Sequence, residues 1–178
     1  MTTALLIIDV QQALCAGPYA AFDIDRVIPR INAIGAKARS AGASVIFIQH
    51  EDDGPLQFGA DGWQLAIGLE ATGADLRVRK TTPDSFHRTE LQALLQSRGV
   101  THLVVCGLQS DFCVDTTVRR ALALGYEVSL VADGHTTLDN GVLTAAQIIA
   151  HHNMTLGNMT SFGPRVKVMP AGDIAFSA

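Results

Sequence analysis

Residues 102–132 read H-L-V-V-C-G-L-Q-S-D-F-C-V-D-T-T-V-R-R-A-L-A-L-G-Y-E-V-S-L-V-A, and the order of textures along this stretch decides the fold. An apolar run, His102–Cys106, gives way to a polar turn. Cys113–Leu124 then carries apolar residues at helical spacing, and Gly125 leads into a second apolar run, Glu127–Ala132. Strand, crossover helix and strand make a β-α-β unit, and runs that are apolar on both faces are those of buried parallel strands. Gly125 supplies the left-handed position that stops the helix.

The same alternation extends in both directions. Further strands are predicted at Ala4–Asp9, Ser44–Gln49, Leu76–Lys80 and Arg165–Met169, and further helices at Asp25–Ala41, Thr89–Arg98 and Gly141–Asn153, with polar caps near Thr89 and Asn140. One long irregular insertion, Glu51–Thr72, holds Gly54, Pro55, Gly59, Gly62 and Trp63. No internal repeat or low-complexity linker interrupts the pattern. Right-handed crossovers then predict a single α/β domain over residues 1–178: an open, doubly wound sheet of six parallel strands with helices on both faces. A closed barrel would need about eight such units. In open sheets the ligand sits beyond the carboxyl ends of the strands, where the winding reverses.

Composition narrows the function. A net charge of −4 without long like-charge runs offers neither a nucleic-acid face nor a polybasic membrane segment, so a small-molecule partner is expected. The opening M-T-T-A-L-L-I-I-D has no basic leader and is broken by Asp9, and no run approaches the roughly 18 apolar residues of a spanning helix. A cytoplasmic protein is expected. Three cysteines without a C-x-x-C pair suggest reduced thiols rather than a disulfide framework or a zinc ribbon.

The strand exits hold Asp9, Lys80 and, in the turn after Cys106, Cys113; His50 and Asp133 are competitors. Cys113 opens a predicted helix, where free amides and the macrodipole favour a thiolate, although a lone cysteine also serves as a small buried apolar residue. Asp9 follows an apolar run and suits a general base, or alternatively a turn cap; Lys80 suits charge stabilisation, or a solvated strand end. Cys106, inside its apolar run, belongs to the core, and Cys15 lies in a loop without an evident base.

Four ordered blocks, L-L-I-I-D-V-Q-Q, R-K-T-T-P-D-S-F-H-R-T-E-L, V-V-C-G-L-Q-S-D-F-C-V-D-T-T-V-R-R-A and G-Y-E-V-S-L-V-A-D-G, give the chain a resemblance to the isochorismatase-like cysteine hydrolases, which include nicotinamidases and carbamoylsarcosine amidases. The resemblance implies a six-stranded parallel sheet and a Cys-Asp-Lys triad at Cys113, Asp9 and Lys80. It also implies a cis peptide at Leu108–Gln109, with the backbone amides of Gln109 and Cys113 facing a developing oxyanion. Homo-oligomers, dimers or tetramers, are usual in such a family, and no cofactor is implied.

Nicotinamidase-type members carry an Asp-x-His pair for a metal. Here the stretch is I-Q-H-E-D-D-G, so no metal is expected, and His50, Asp52 and Asp53 read as loop residues. His151 and His152 read as surface or capping groups. Trp63, Phe86, Phe112 and Tyr19 are candidates for the pocket wall. The expected chemistry is hydrolysis of a small amide or related C–N bond. The alternatives are a vinyl ether hydrolase, in which Asp9 acts as acid, and a binding module without turnover.

Overall fold

Six strands, β1 Thr2–Ile8, β2 Ser44–His50, β3 Leu76–Lys80, β4 Val100–Leu108, β5 Glu127–Thr136 and β6 Val166–Met169, pair in parallel throughout, in the spatial order β3-β2-β1-β4-β5-β6. The computed structural model describes residues 2–176. The winding starts at β1, runs outward to β3, and restarts on the other side at β4. The switch point therefore lies between β1 and β4.

Alternating residues of the central strands feed two cores. Leu5, Ile7, Val45, Phe47, Val104 and Cys106 face Val27, Ile31, Ile34 and Ala38 of α2, Ile24–Ser40. Leu6, Ile8, Ile46, Leu103 and Val105 face the opposite way, onto Leu91 and Leu95 of α3 (Leu91–Ser97), Val118 and Leu122 of α4 (Asp115–Ala123) and Leu156 of α5 (Ala145–Gly157). Each fully buried Leu, Ile or Val contributes roughly 1.5–3 kcal/mol, so a sheet apolar on both faces demands helices on both. A short turn of helix, α1 (Gln12–Cys15), follows β1. Among the described residues no helix is long and apolar enough to cross a membrane.

Several boundaries differ from the sequence reading. β5 runs on from Ala132 to Thr136 because Gly107 and Leu108 of β4 pair with His135 and Thr136 across a bulge. The last helix starts at Ala145 rather than Gly141. Asn140 instead ties a turn through Oδ1 to the Val142 and Leu143 amides, and Thr144 with Gln147 forms a complete capping box. The helix after β4 begins at Asp115, preceded by a single π-helical turn, Ser110–Val114, which contains Cys113.

Gly107 is required at the switch point. Its φ is +115°, and a Cβ there would lie 2.1 Å from the Ile8 carbonyl oxygen, so only glycine lets β4 pass the end of β1 this closely.

The π-helical turn is pinned from beneath. Asn153 donates through Nδ2 to the Ala132 carbonyl, so its Oδ1 accepts from His135 Nε2–H at 2.9 Å; His135 Nδ1 then accepts from Ser110 Oγ–H at 2.7 Å. Burial holds this imidazole at a pKa of about 4, below the ordinary 6.5. Between those values the unfolded chain binds a proton that the folded one does not, so stability falls as pH drops from 6.5 and the loss levels off below 4. The expected loss at this one site is roughly 3 kcal/mol. Urea midpoints measured from pH 7 to pH 4 should fall more steeply in the wild type than in His135→Gln; equal slopes would refute this.

Candidate active site

Four strand ends meet beside the switch point. Asp9 stands one residue beyond β1, in a left-handed conformation (φ 51°) that turns its side chain back toward the sheet, and its amide donates to the Ile48 carbonyl. His50 and Lys80 close β2 and β3 in register with each other, and Cys113 sits in the π-helical turn after β4. The Leu108–Gln109 peptide is cis, as the resemblance implies.

Lys80 is the hub. Its Nζ donates to Asp9 Oδ2 at 2.7 Å and to Cys113 Sγ at 3.2 Å, and lies 3.1 Å from His50 Nδ1. The Lys80 side chain is 0% exposed and that of Asp9 2%. A buried ion pair of this kind is costly to desolvate and strongly coupled, and it persists because each charge is the other's compensation. Asp9, His50 and Cys113 place an oxygen, a nitrogen and the sulfur within 4.8 Å of one another, a spacing able to hold a metal ion. The ammonium of Lys80 bonds to all three and is the cation of this cluster.

The thiol is not a standing thiolate. Burial pushes Cys113 up to about 12; the neighbouring Asp9 carboxylate adds to the rise and Lys80 opposes it. The sulfur lies inside a π-helical turn that runs directly into α4, two residues before its start, and burial there outweighs the pull of the helix start toward a thiolate. Burial alone raises Cys15, to about 12, and Cys106, whose thiol points at the Leu6 carbonyl. Among the described cysteines, Cys113 is the one bonded to a cation.

A cavity of about 250 Å³ opens over the sulfur, lined by Leu14, His50, Asp52, Leu56, Gln109 and Phe112 among others. Phe112 lines this cavity. Phe86 is not: it is 7% exposed, belongs to the core, and stacks on Tyr126 with ring centroids 5.9 Å apart. Trp63 does not line the cavity. Its ring meets Phe58 edge-on, and its carbonyl anchors the insertion by accepting from the side-chain amides of Gln11 and Gln49. Tyr19 is 75% exposed and Asp53 is exposed outside the cavity.

His50, expected in a loop, closes β2 against Lys80, whereas Asp52 does lie in the loop, where it lines the cavity wall. The missing signal was register, since nothing local in I-Q-H-E-D-D-G shows that His50 pairs with Lys80. Gln11 is the support that sequence reasoning passed over. It is fully buried, and its side chain both accepts from the His50 amide and donates to the His50 carbonyl, which fixes that strand end. The P-D-S-F segment after Lys80 is held against α4, with Ser85 bonded to Thr117 through both amide and hydroxyl.

The chain matches the isochorismatase domain over residues 3–163. A streptothricin hydrolase of Streptomyces noursei is 38% identical over 177 residues, covering 94% of this chain and 64% of the relative; a second from the same organism is 41% identical, at 76% and 55%. The chain thus spans less than two thirds of the length of these two relatives. A ureidoacrylate amidohydrolase of Caulobacter vibrioides is 29% identical, covering 74% of this chain and 76% of its own. Among solved structures, an isochorismatase family protein superimposes with a TM-score of 0.87 at 38% identity, over 94% of this chain and 97% of the other. With its fold, its strand-end residues and this match nearly end to end, the chain belongs to the isochorismatase family.

Proposed function

We propose that this protein is a cysteine hydrolase of small amides or related C–N bonds, with Cys113 as nucleophile, Asp9 as proton acceptor and donor, and Lys80 as the fixed cation. The observation that carries the reading is the single buried ammonium shared by the Asp9 carboxylate and the Cys113 sulfur under an open cavity. An amidohydrolase name among the relatives points the same way.

Because the resting thiol is protonated, attack is coupled to proton transfer. Asp9 takes the thiol proton as sulfur bonds to the carbonyl carbon, and the charge on the new oxyanion falls to the backbone amides of Gln109 and Cys113. Asp9 returns the proton to the departing nitrogen, leaving a thioester. It then deprotonates a water that releases the acid and regenerates the thiol. Lys80 stays charged throughout and compensates Asp9 and the transient thiolate in turn, so the scheme takes its positive charge from lysine, without a metal or cofactor.

The test is a panel of small amides and activated esters sized to the cavity, followed by intact-mass and peptide mass spectrometry. Turnover of at least one amide, with an acyl group trapped on Cys113 from a slow ester, is the expected result. Hydrolysis without any acyl adduct on Cys113, or an inert panel, overturns it.

A further inference from the structure

We propose that His50 binds the substrate, its Nε2–H donating to a second acceptor oxygen beyond the scissile carbonyl; this rests on the amide-hydrolase reading of the cavity. The tautomer follows from the geometry around Lys80. An ammonium has three hydrogens and no lone pair, and its three neighbours are Asp9 Oδ2, Cys113 Sγ and His50 Nδ1. The His50 Nδ1 must therefore accept, which leaves the ring proton on Nε2. Burial and the Lys80 charge both push His50 below the ordinary imidazole range, which keeps the ring neutral at neutral pH.

Gln11 fixes the His50 backbone from both sides, and the Lys80 contact to Nδ1 orients the ring. Its Nδ1 edge faces the buried ammonium, so the opposite edge, with Nε2, meets the cavity that His50 lines with Gln109, Phe112 and Cys113. Among the described residues nothing accepts from Nε2. The charged groups around the ring are Lys80, Asp9, Asp52 and Glu51, and the Cys113 thiol is adjacent. A neutral, fixed donor beside the nucleophile selects small amides with a further neutral acceptor, such as a second carbonyl or carbamoyl oxygen.

The experiment uses the Cys113→Ala protein, which lacks the proposed nucleophile, with malonamide and acetamide as probes. Two-bond ¹⁵N–¹H correlation of the histidine rings should show His50 protonated at Nε2 near pH 7. Malonamide should shift that signal and bind about tenfold more tightly than acetamide, as one added hydrogen bond in a pocket allows. Adding His50→Asn, which keeps an acceptor for Lys80 but no group at the Nε2 position, should equalise the two probes. A proton on Nδ1, or equal binding of the two probes to the Cys113→Ala protein, or no shift with either, overturns the assignment. The readout is binding, so an inert wild-type enzyme would defeat the amidase reading and leave this result standing.

Discussion

Cys113→Ala is expected to cut turnover of an accepted amide by on the order of 10⁴-fold or more, with melting and circular dichroism close to wild type. The substitution removes the attacking atom and one acceptor of the Lys80 ammonium, but leaves the Asp9–Lys80 pair intact. Asp9→Asn should be comparably inactive, because the thiol then has no acceptor for its proton. Burial keeps the thiol well above its ordinary value, so proton transfer to Asp9 has to accompany attack. Iodoacetamide labelling of Cys113 should accordingly keep rising with pH up to at least 10, with no plateau near neutrality. Near-wild-type turnover in Cys113→Ala with none in Asp9→Asn would replace the thioester route by acid catalysis from Asp9, as in vinyl ether hydrolysis.

Lys80→Met should destabilise the protein by about 3–5 kcal/mol, a fall of roughly 10–15 °C in melting temperature for a chain of this size. The reason is what is left behind. Among the described residues Asp9 Oδ1 has no partner and Oδ2 is bonded to Lys80 alone by its side chain, so the variant buries an uncompensated carboxylate. The double variant Asp9→Asn, Lys80→Met discards both charges together and should recover much of the lost stability, although not activity. Calorimetry of the four proteins measures the coupling directly. If the single and double variants melt alike, the ion pair is not what holds this end of the sheet.

Architecture was more legible than environment. The apolar runs of β1, β2 and β4 and the glycine stops between them carry their own periodicity, so sheet and helices could be read locally. The extension of β5 could not, because Asp133–Thr136 is polar and becomes strand through its pairing with Gly107 and Leu108. The start of α5 was readable: Thr144 followed by Gln147 three residues later outranks Asn140 as a cap. Phe86 and Phe112 look alike in sequence, and what separates them is Tyr126, some forty positions further along, against which Phe86 stacks. Asp9, Lys80 and Cys113 stood out as polar residues at strand exits. His50 stood there too, and its significance appears once β2 and β3 are in register.

Lys80 reaches the cavity from β3, a five-residue strand at the rim of the sheet that pairs with β2 alone. An edge strand opens at lower free energy than the centre of a sheet, because half of its ladder is missing. Detachment of β3 would withdraw the ammonium from Asp9, His50 and Cys113 together. The cation shared by Asp9, His50 and Cys113 is thus carried by an edge strand, and whatever clasped that rim would steady the cluster without approaching the cavity.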